Sequence, residues 1–353
     1  MTMNLPSPSH PDALPQTVNH PQSQAAHHLQ SQVPVELTAP DIQPYRRISS
    51  ASSSPNLDYV LRFESGKPGP HVLIQALTHG NELCGAITLD FLLRHEVRPL
   101  HGVLSLVFAN VEAYHRWDPA NPHGNRFCDE DYNRIWGDDV LNGPRDSIEL
   151  RRARELVNYI DSADYLLDLH SMSAPCEALM VCGVREYGGL KSVALSQAIG
   201  LPRWLMMDTG HAAGLRMIER GRFGDPHAKA VAALLEAGQH WERQSEAVAR
   251  DATLRFLVFT GMVDKDWALS HCTLALPTQQ VIQVTAAVAA KTKSFQWLGE
   301  YQGLEVIEHA GTALAQDGDH TVRTPYDRCV LVMPTRARFN VGNTMLRFGR
   351  FEG

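Results

Sequence analysis

Cysteine is sparse in this sequence and shows no metal-binding or redox spacing. The six, at positions 84, 128, 176, 182, 272 and 329, contain no Cys-x-x-Cys pair, so reduced, mostly buried thiols in a cytoplasmic protein are the expectation. No apolar run reaches the length of a membrane span, and no membrane partner is expected. The first residues lack the basic start and apolar stretch of a signal peptide. Positive charge is in deficit: 32 Lys and Arg against 39 Asp and Glu give a net charge of −7, which argues against nucleic acid or another polyanion as partner. There is no internal repeat. What is present is a chain of 353 residues, 44% hydrophobic and 20% charged, enough for one large domain plus a smaller one. Oligomeric state is left open.

The chain divides into three by composition. Residues 1–45 are rich in Pro, Gln, Ser and His and read as a disordered tail; His10, His20, His27 and His28 belong to that solvated tail rather than to a metal site. From 46 to 264, apolar strand-like runs at 59–63, 71–77, 103–109, 165–169, 178–182 and 230–235 alternate with helical stretches at 83–95, 147–161, 190–199 and about 240–262. That alternation predicts an α/β sheet with helices on both faces. Ser147 is placed to cap one helix, with Glu149 near its positive end. From 265 to 353, short strand-like runs separated by Gly and Asp turns predict a small all-β module. Two stretches stand out as irregular. One runs from 111 to about 144, long enough to suggest function. The other, 209–222, is Gly-rich and basic, a candidate mobile loop.

The chemistry starts at Leu77-Thr78-His79-Gly80-Asn81-Glu82. His79 follows a strand and Glu82 opens a helix, so both side chains can converge across a tight Gly turn. An imidazole and a carboxylate at the carboxyl edge of a sheet are two of the three ligands of a zinc site built from two histidines and a glutamate. His170 follows a second apolar run and supplies the third ligand. Asp168, two residues earlier on the same face, can orient a ligand histidine from behind. Glu236 follows a third run in an apolar setting that should raise its pKa, which suits a general base. In the long irregular stretch, Arg126 and Arg134, with Asn133 beside the second, offer one guanidinium for an oxyanion and one for a substrate carboxylate.

His79-Gly80-Asn81-Glu82, the segment Arg126…Asp131-x-Asn133-Arg134, Asp168-Leu169-His170 and Leu235-Glu236-Ala237-Gly238 fall in the order and spacing of the succinylglutamate desuccinylase/aspartoacylase family, within the zinc carboxypeptidase superfamily. The chain resembles that family over roughly residues 55–353, and Gly311-Thr312-Ala313-Leu314-Ala315-Gln316-Asp317-Gly318 looks like its C-terminal β module. The resemblance implies a mixed sheet flanked by helices, zinc carboxypeptidase-like, with a small C-terminal all-β module. It implies one Zn2+ per chain on His79, Glu82 and His170, and Glu236 as general base and acid. Arg126 would polarise the scissile carbonyl, while Asn133 and Arg134 grip the α-carboxylate of a small N-acyl amino acid. Two alternatives stand beside this deacylase. One is a zinc carboxypeptidase acting on short peptides, disfavoured if the β module narrows the pocket mouth. The other is a non-catalytic ligand-binding protein on the same fold, disfavoured by the presence of Glu236 and Arg126. Tyr326 reads as a β-turn tyrosine that the module could also lend to the pocket. The loop after Asp208 does not identify the acyl group.

Overall fold

A computed structural model describes residues 34–46, 57–336 and 339–352; the greater part of the expected tail, 1–33, lies outside them. Strands β1 (Val60–Glu64), β2 (His71–Ala76), β3 (Val103–Phe108), β4 (Tyr165–Met172), β5 (Leu179–Val184), β6 (Trp204–Asp208), β7 (Val231–Gln239) and β8 (Gln280–Ala289) are joined by four main helices. These are α1 (Leu83–Arg94), α2 (Ile148–Ser162), α3 (Leu190–Ile199) and α4 (Arg243–Phe259), followed by a short α5 (Lys265–Ser270). Beyond them come β9 (Gln296–Trp297), β10 (Val306–Ile307), β11 (Ala313–Asp317), β12 (His320–Arg323), β13 (Cys329–Val332) and β14 (Thr344–Phe351). Eleven strands form one mixed sheet in the order β1-β3-β2-β4-β7-β5-β6-β8-β14-β13-β10, and β12-β11-β9 form a separate small sheet. This is the mixed sheet flanked by helices, with a small β addition, that the sequence implies.

At the centre, β3, β2, β4 and β7 run parallel. All six residues of β2 are buried, because helices cover both of its faces, the usual condition of a parallel sheet. α2 packs Leu150, Ala153, Leu156 and Ile160 with Leu73, Leu166 and Leu234 in one core cluster, while α1 and α4 pack on each other and on β4. Ser147 caps α2 by accepting from the backbone N–H of Leu150 at 3.0 Å.

Several expectations need correction. β4 and β7 extend past the ends of their apolar runs, so His170 and Glu236 lie within strands rather than after them. Backbone pairing continues because those polar side chains face the site instead of the core. The runs at 204–208, 313–317 and 344–351 were not foreseen as strands, although all three pair. The β-rich C-terminal stretch is not a free-standing sheet: β8 pairs in parallel with β6 and carries β14, β13 and β10 onto the main sheet. Residues 35–45, expected in the disordered tail, are packed. Leu37 and Ile42 are buried, Tyr45 stacks on Phe108 at 5.7 Å between ring centroids, and the Tyr45 hydroxyl donates to Asp90 at 2.5 Å. A composition poor in apolar residues hid the few that anchor it. Among the described residues, no helix is long and apolar enough to cross a membrane.

Candidate metal centre

The turn after β2 is built for close approach. Leu77 adopts a positive φ of 60°, a conformation costly for a side chain with a Cβ and concentrated at functional sites. Gly80 lies so near the backbone at Ala113 and Asn125 that a Cβ would sit 2.5 Å from both. The Gly80 N–H donates to the Arg126 carbonyl at 2.9 Å, which ties the middle of the long irregular stretch to the His79 turn. That stretch is ordered by one buried carboxylate. Glu149, in the first turn of α2, accepts from the backbone N–H groups of Cys128, Asp129 and Glu130 and from Asn110 Nδ2.

Three ligand-type side chains meet at this turn. His79, Glu82 and His170 are buried, and their ligand atoms lie within 4.8 Å of one another. His79 Nδ1 is 2.8 Å from Glu82 Oε1, and His170 Nδ1 is 2.9 Å from Glu82 Oε2. Each imidazole is held from behind by a second carboxylate: His170 Nε2 is 2.7 Å from Asp168 Oδ2, and His79 Nε2 is 3.0 Å from Asp131 Oδ1. Both Nδ1 atoms thus face Glu82 while an aspartate orients each ring from behind, the usual arrangement of ligand histidines. Asp168 is itself fixed by the Thr78 hydroxyl at 2.8 Å, and Gln75 donates to that hydroxyl at 2.8 Å.

The charges also fit a cation. Burial opposes ionisation of both groups, yet Asp168 and Glu82 hold the His170 pKa well above the imidazole range, and His79 and His170 hold Glu82 well below the carboxylate range. Three carboxylates surround two imidazoles, and the Arg126 guanidinium lies 3.3 Å from Glu82 and 3.4 Å from Asp131. A single zinc ion matches this donor set and charge.

Glu236 is the direct neighbour of His170 across the parallel β4–β7 ladder. Its Oε2 is buried without a hydrogen-bond partner among the described residues. Burial, followed in effect by the Glu82 charge on the raising side, lifts its pKa to about 8, against the pull of His170 and Arg126. Arg126 reaches the cluster, with one guanidinium nitrogen 2.9 Å from His79 Nε2. Arg134 is partly buried and donates to the Asn133 carbonyl at 2.7 Å. Asn133 is buried, and its side-chain oxygen accepts from the Met217 N–H at 3.2 Å.

Sequence reasoning gives Asp131 no role of its own, yet it backs the ligand His79. The spacing of Asp131 two residues before Asn133 carries no hint of His79, because the contact depends on the path of the long loop. The loop after Asp208 is pinned rather than free. Asp208 accepts from two nitrogens of Arg216, at 2.6 and 2.8 Å, and Arg216 also binds Glu219. Tyr326 bonds Thr285 Oγ1 at 2.6 Å under the Arg350 guanidinium.

The sequence matches the succinylglutamate desuccinylase/aspartoacylase catalytic domain over residues 68–259. It is 34% identical over 142 residues to a protein named probable aspartoacylase of Parasynechococcus marenigrum, covering 38% of this chain and 45% of that one. It is 26% identical over 290 residues to the succinylglutamate desuccinylase of Burkholderia cenocepacia, covering 74% and 76%. The chain thus spans about half the length of the aspartoacylases it matches. In fold it is similar to succinylglutamate desuccinylase from Vibrio parahaemolyticus, with a TM-score of 0.61, 14% identity and coverage of 84% and 87%. The succinylglutamate desuccinylase/aspartoacylase from Rhodobacter sphaeroides superposes at 0.59, with 14% identity and coverage of 84% and 90%.

Proposed function

Because the chain belongs to the succinylglutamate desuccinylase/aspartoacylase family, we propose that it is a zinc-dependent amidohydrolase that removes the acyl group from an N-acyl amino acid. The observation that carries this reading is Glu236, with a buried and unpartnered carboxylate oxygen beside the ligand His170. A site that only stored a metal would gain nothing from a carboxylate left without a partner there.

Zinc at His79, Glu82 and His170 would polarise the scissile carbonyl and bring the pKa of its water toward neutrality. Glu236 takes the proton of the attacking water and returns it to the leaving nitrogen, a task suited to a carboxyl whose pKa lies near the working pH. Arg126 donates to the oxygen on which negative charge develops. Arg134 presents its fork to the substrate α-carboxylate, and Asn133, whose side-chain oxygen is committed to Met217, adds its amide nitrogen. Asp168 and Asp131 hold the ligand imidazoles in orientation.

We assign this work to residues 46–264, with 265–353 as the C-terminal β module and 1–33 outside the catalytic unit. Six cysteines, none in a disulfide, support a cytoplasmic setting. The test is a panel of N-succinyl, N-acetyl and N-formyl amino acids offered to the zinc-loaded protein. Hydrolysis of at least one, lost in Glu236→Gln, is the expected result. Faster cleavage of tripeptides would favour a carboxypeptidase, and zinc binding without turnover of any member would favour a binding protein.

A further inference from the structure

Two histidines outside the metal cluster repeat its ring geometry. His95 follows the last residue of α1, and His271 follows the last residue of α5. Their ring centroids are 5.2 Å apart, with an interplanar angle of 77°. For His79 and His170 the values are 5.0 Å and 68°. Two imidazoles that share one ion, each nitrogen at about 2.0–2.1 Å and the bonds at a tetrahedral angle, put their ring centres about 5 Å apart.

Both rings are anchored in the same way. His95 Nδ1 lies 2.9 Å from the Phe91 carbonyl oxygen, and His271 Nδ1 lies 2.8 Å from the Trp267 carbonyl oxygen, each four residues back. A carbonyl only accepts, so each Nδ1 carries the proton and the lone pair of the neutral ring is at Nε2. The Ser270 hydroxyl agrees. It donates to the Trp267 carbonyl at 2.7 Å, which leaves it to accept from His271 Nδ1 at 3.2 Å. A backbone carbonyl behind the ring is a common outer partner of a ligand histidine. Phe91 packs 4.1 Å from the His95 ring centroid and Trp267 4.9 Å from that of His271, which fixes both rings.

The surroundings admit a cation. His95 is exposed and His271 half-buried, so an ion reaches them from solvent. The arginines of this corner are engaged elsewhere: Arg98 lies over the Phe63 ring at 4.1 Å, Arg94 pairs with Asp90 at 2.8 Å, and Arg250 pairs with Asp251 at 3.5 Å and Glu246 at 3.8 Å. Asp264 lines a cavity of about 190 Å3 together with His95 and Trp267. The carbonyl end of α1 also favours positive charge.

We propose that His95 and His271 hold a divalent transition-metal ion through their Nε2 atoms, an auxiliary site separate from the metal cluster. Imidazole nitrogens suit zinc, nickel and copper, and water fills the positions that two protein ligands leave open. An ion there ties the end of α1, which starts next to the ligand Glu82, to α5, the last helix before the C-terminal strands. It clamps the fold and takes no part in hydrolysis. Two ligands hold an ion less tightly than three, so dialysis removes this one while the cluster keeps its own. A histidine that only capped its helix would have no need to meet the other ring.

The experiment takes the full chain loaded with one zinc and dialysed, and adds further Zn2+ in a calorimeter, with thermal unfolding followed in parallel. The wild type should show a second saturable binding event and an upward shift in Tm as the site fills, because an ion bound only by the folded state stabilises it. His95→Asn and His271→Asn, which keep a nitrogen donor near the helix carbonyl, should each abolish that event and the Tm response while the first zinc and kcat/KM are retained. His10, His20, His27 and His28 are common to all three proteins, so the difference between them reads the pair alone. No second event in the wild type, or one that survives either substitution, would overturn the site. Should a variant fail to fold, 15N spectra of histidine-labelled wild type decide. The added zinc should move the Nε2 signals of two histidines whose Nδ1 stays protonated, and movement of one or none overturns the pair.

Discussion

The metal cluster and the neighbouring cavity treat buried charge in opposite ways. Around His79, Glu82 and His170 every charged group faces another: two imidazoles, three carboxylates and one guanidinium are held within hydrogen-bond reach. In the wall of the cavity lined by the loop after β6 and by Thr344 and Arg347, Arg216 is neutralised by Asp208 and Glu219. A network closed except for one cation reads as a metal site, because its remaining deficit is positive and its donors already converge. A network that its own residues neutralise holds a loop in place and asks for no ion. Both rest on the same sheet, one at the edge of the parallel strands and the other at the edge of the antiparallel ones.

The comparison breaks most visibly if the closed network does not hold metal. His170→Ala removes a ligand and strands Asp168, so zinc measured after dialysis should fall from one per chain to near zero. Full stoichiometric zinc in that variant would mean the cluster is an ordinary buried ion network. Next in size is Glu236→Gln, which should keep zinc and fold but lose roughly 10²- to 10⁴-fold in kcat. The sign of its pH effect follows from the raised pKa. A base works only when deprotonated, so activity should rise with pH along a limb lying above the ordinary carboxylate range. A bound divalent cation pulls its midpoint below the value of about 8 set by burial. Loss of that limb in Glu236→Gln checks the assignment; an unchanged pH profile would remove Glu236 from the chemistry.

A smaller effect sharpens the role of the carboxylates behind the ligands. Asp168→Asn should weaken zinc affinity about 10- to 100-fold, the usual cost of losing an outer partner. Asp131→Asn should cost less, because Asp131 is 23% exposed while Asp168 is fully buried. Competition with a chelator ranks the two, and a larger loss at Asp131 would reverse the ordering argued from burial.

The legible part of the molecule was the apolar, parallel centre. Val72, Leu73 and Ile74 announce a strand by composition alone, and the ligands stand where such runs stop. The sequence marked His79, Glu82, His170, Asp168 and Glu236 for that reason. It did not reveal where β4 and β7 end, since pairing persists through polar residues that face a site. β14 was hidden by Arg347, Gly349 and Arg350, which interrupt its alternation. Asp131 and the Arg216 network depend on contacts between segments distant in the chain, which no local pattern encodes.

The last prediction asks how far support for the metal cluster reaches toward the N-terminus. His240 bonds the Ser171 hydroxyl at 2.8 Å, and the Ser171 N–H donates to Glu82 at 3.3 Å. The next residue, Trp241, accepts at its carbonyl from the Glu36 N–H at 3.0 Å. On this path three residues, Trp241, His240 and Ser171, stand between the packed segment and the cluster, while Leu37 and Ile42 bury aliphatic surface worth about 1.5 to 3 kcal/mol each as an upper estimate. Removal of residues 1–46 should lower Tm and leave zinc stoichiometry at one. Removal of 1–33, whose composition offers little apolar surface to bury, should change neither Tm nor kcat/KM. Thermal unfolding of both truncations beside the full chain decides the matter. If the longer deletion melts with the full chain, the segment 34–46 contributes nothing to the fold. If the shorter one loses activity while keeping its zinc, the tail takes part in catalysis and the boundary of the catalytic unit moves with it.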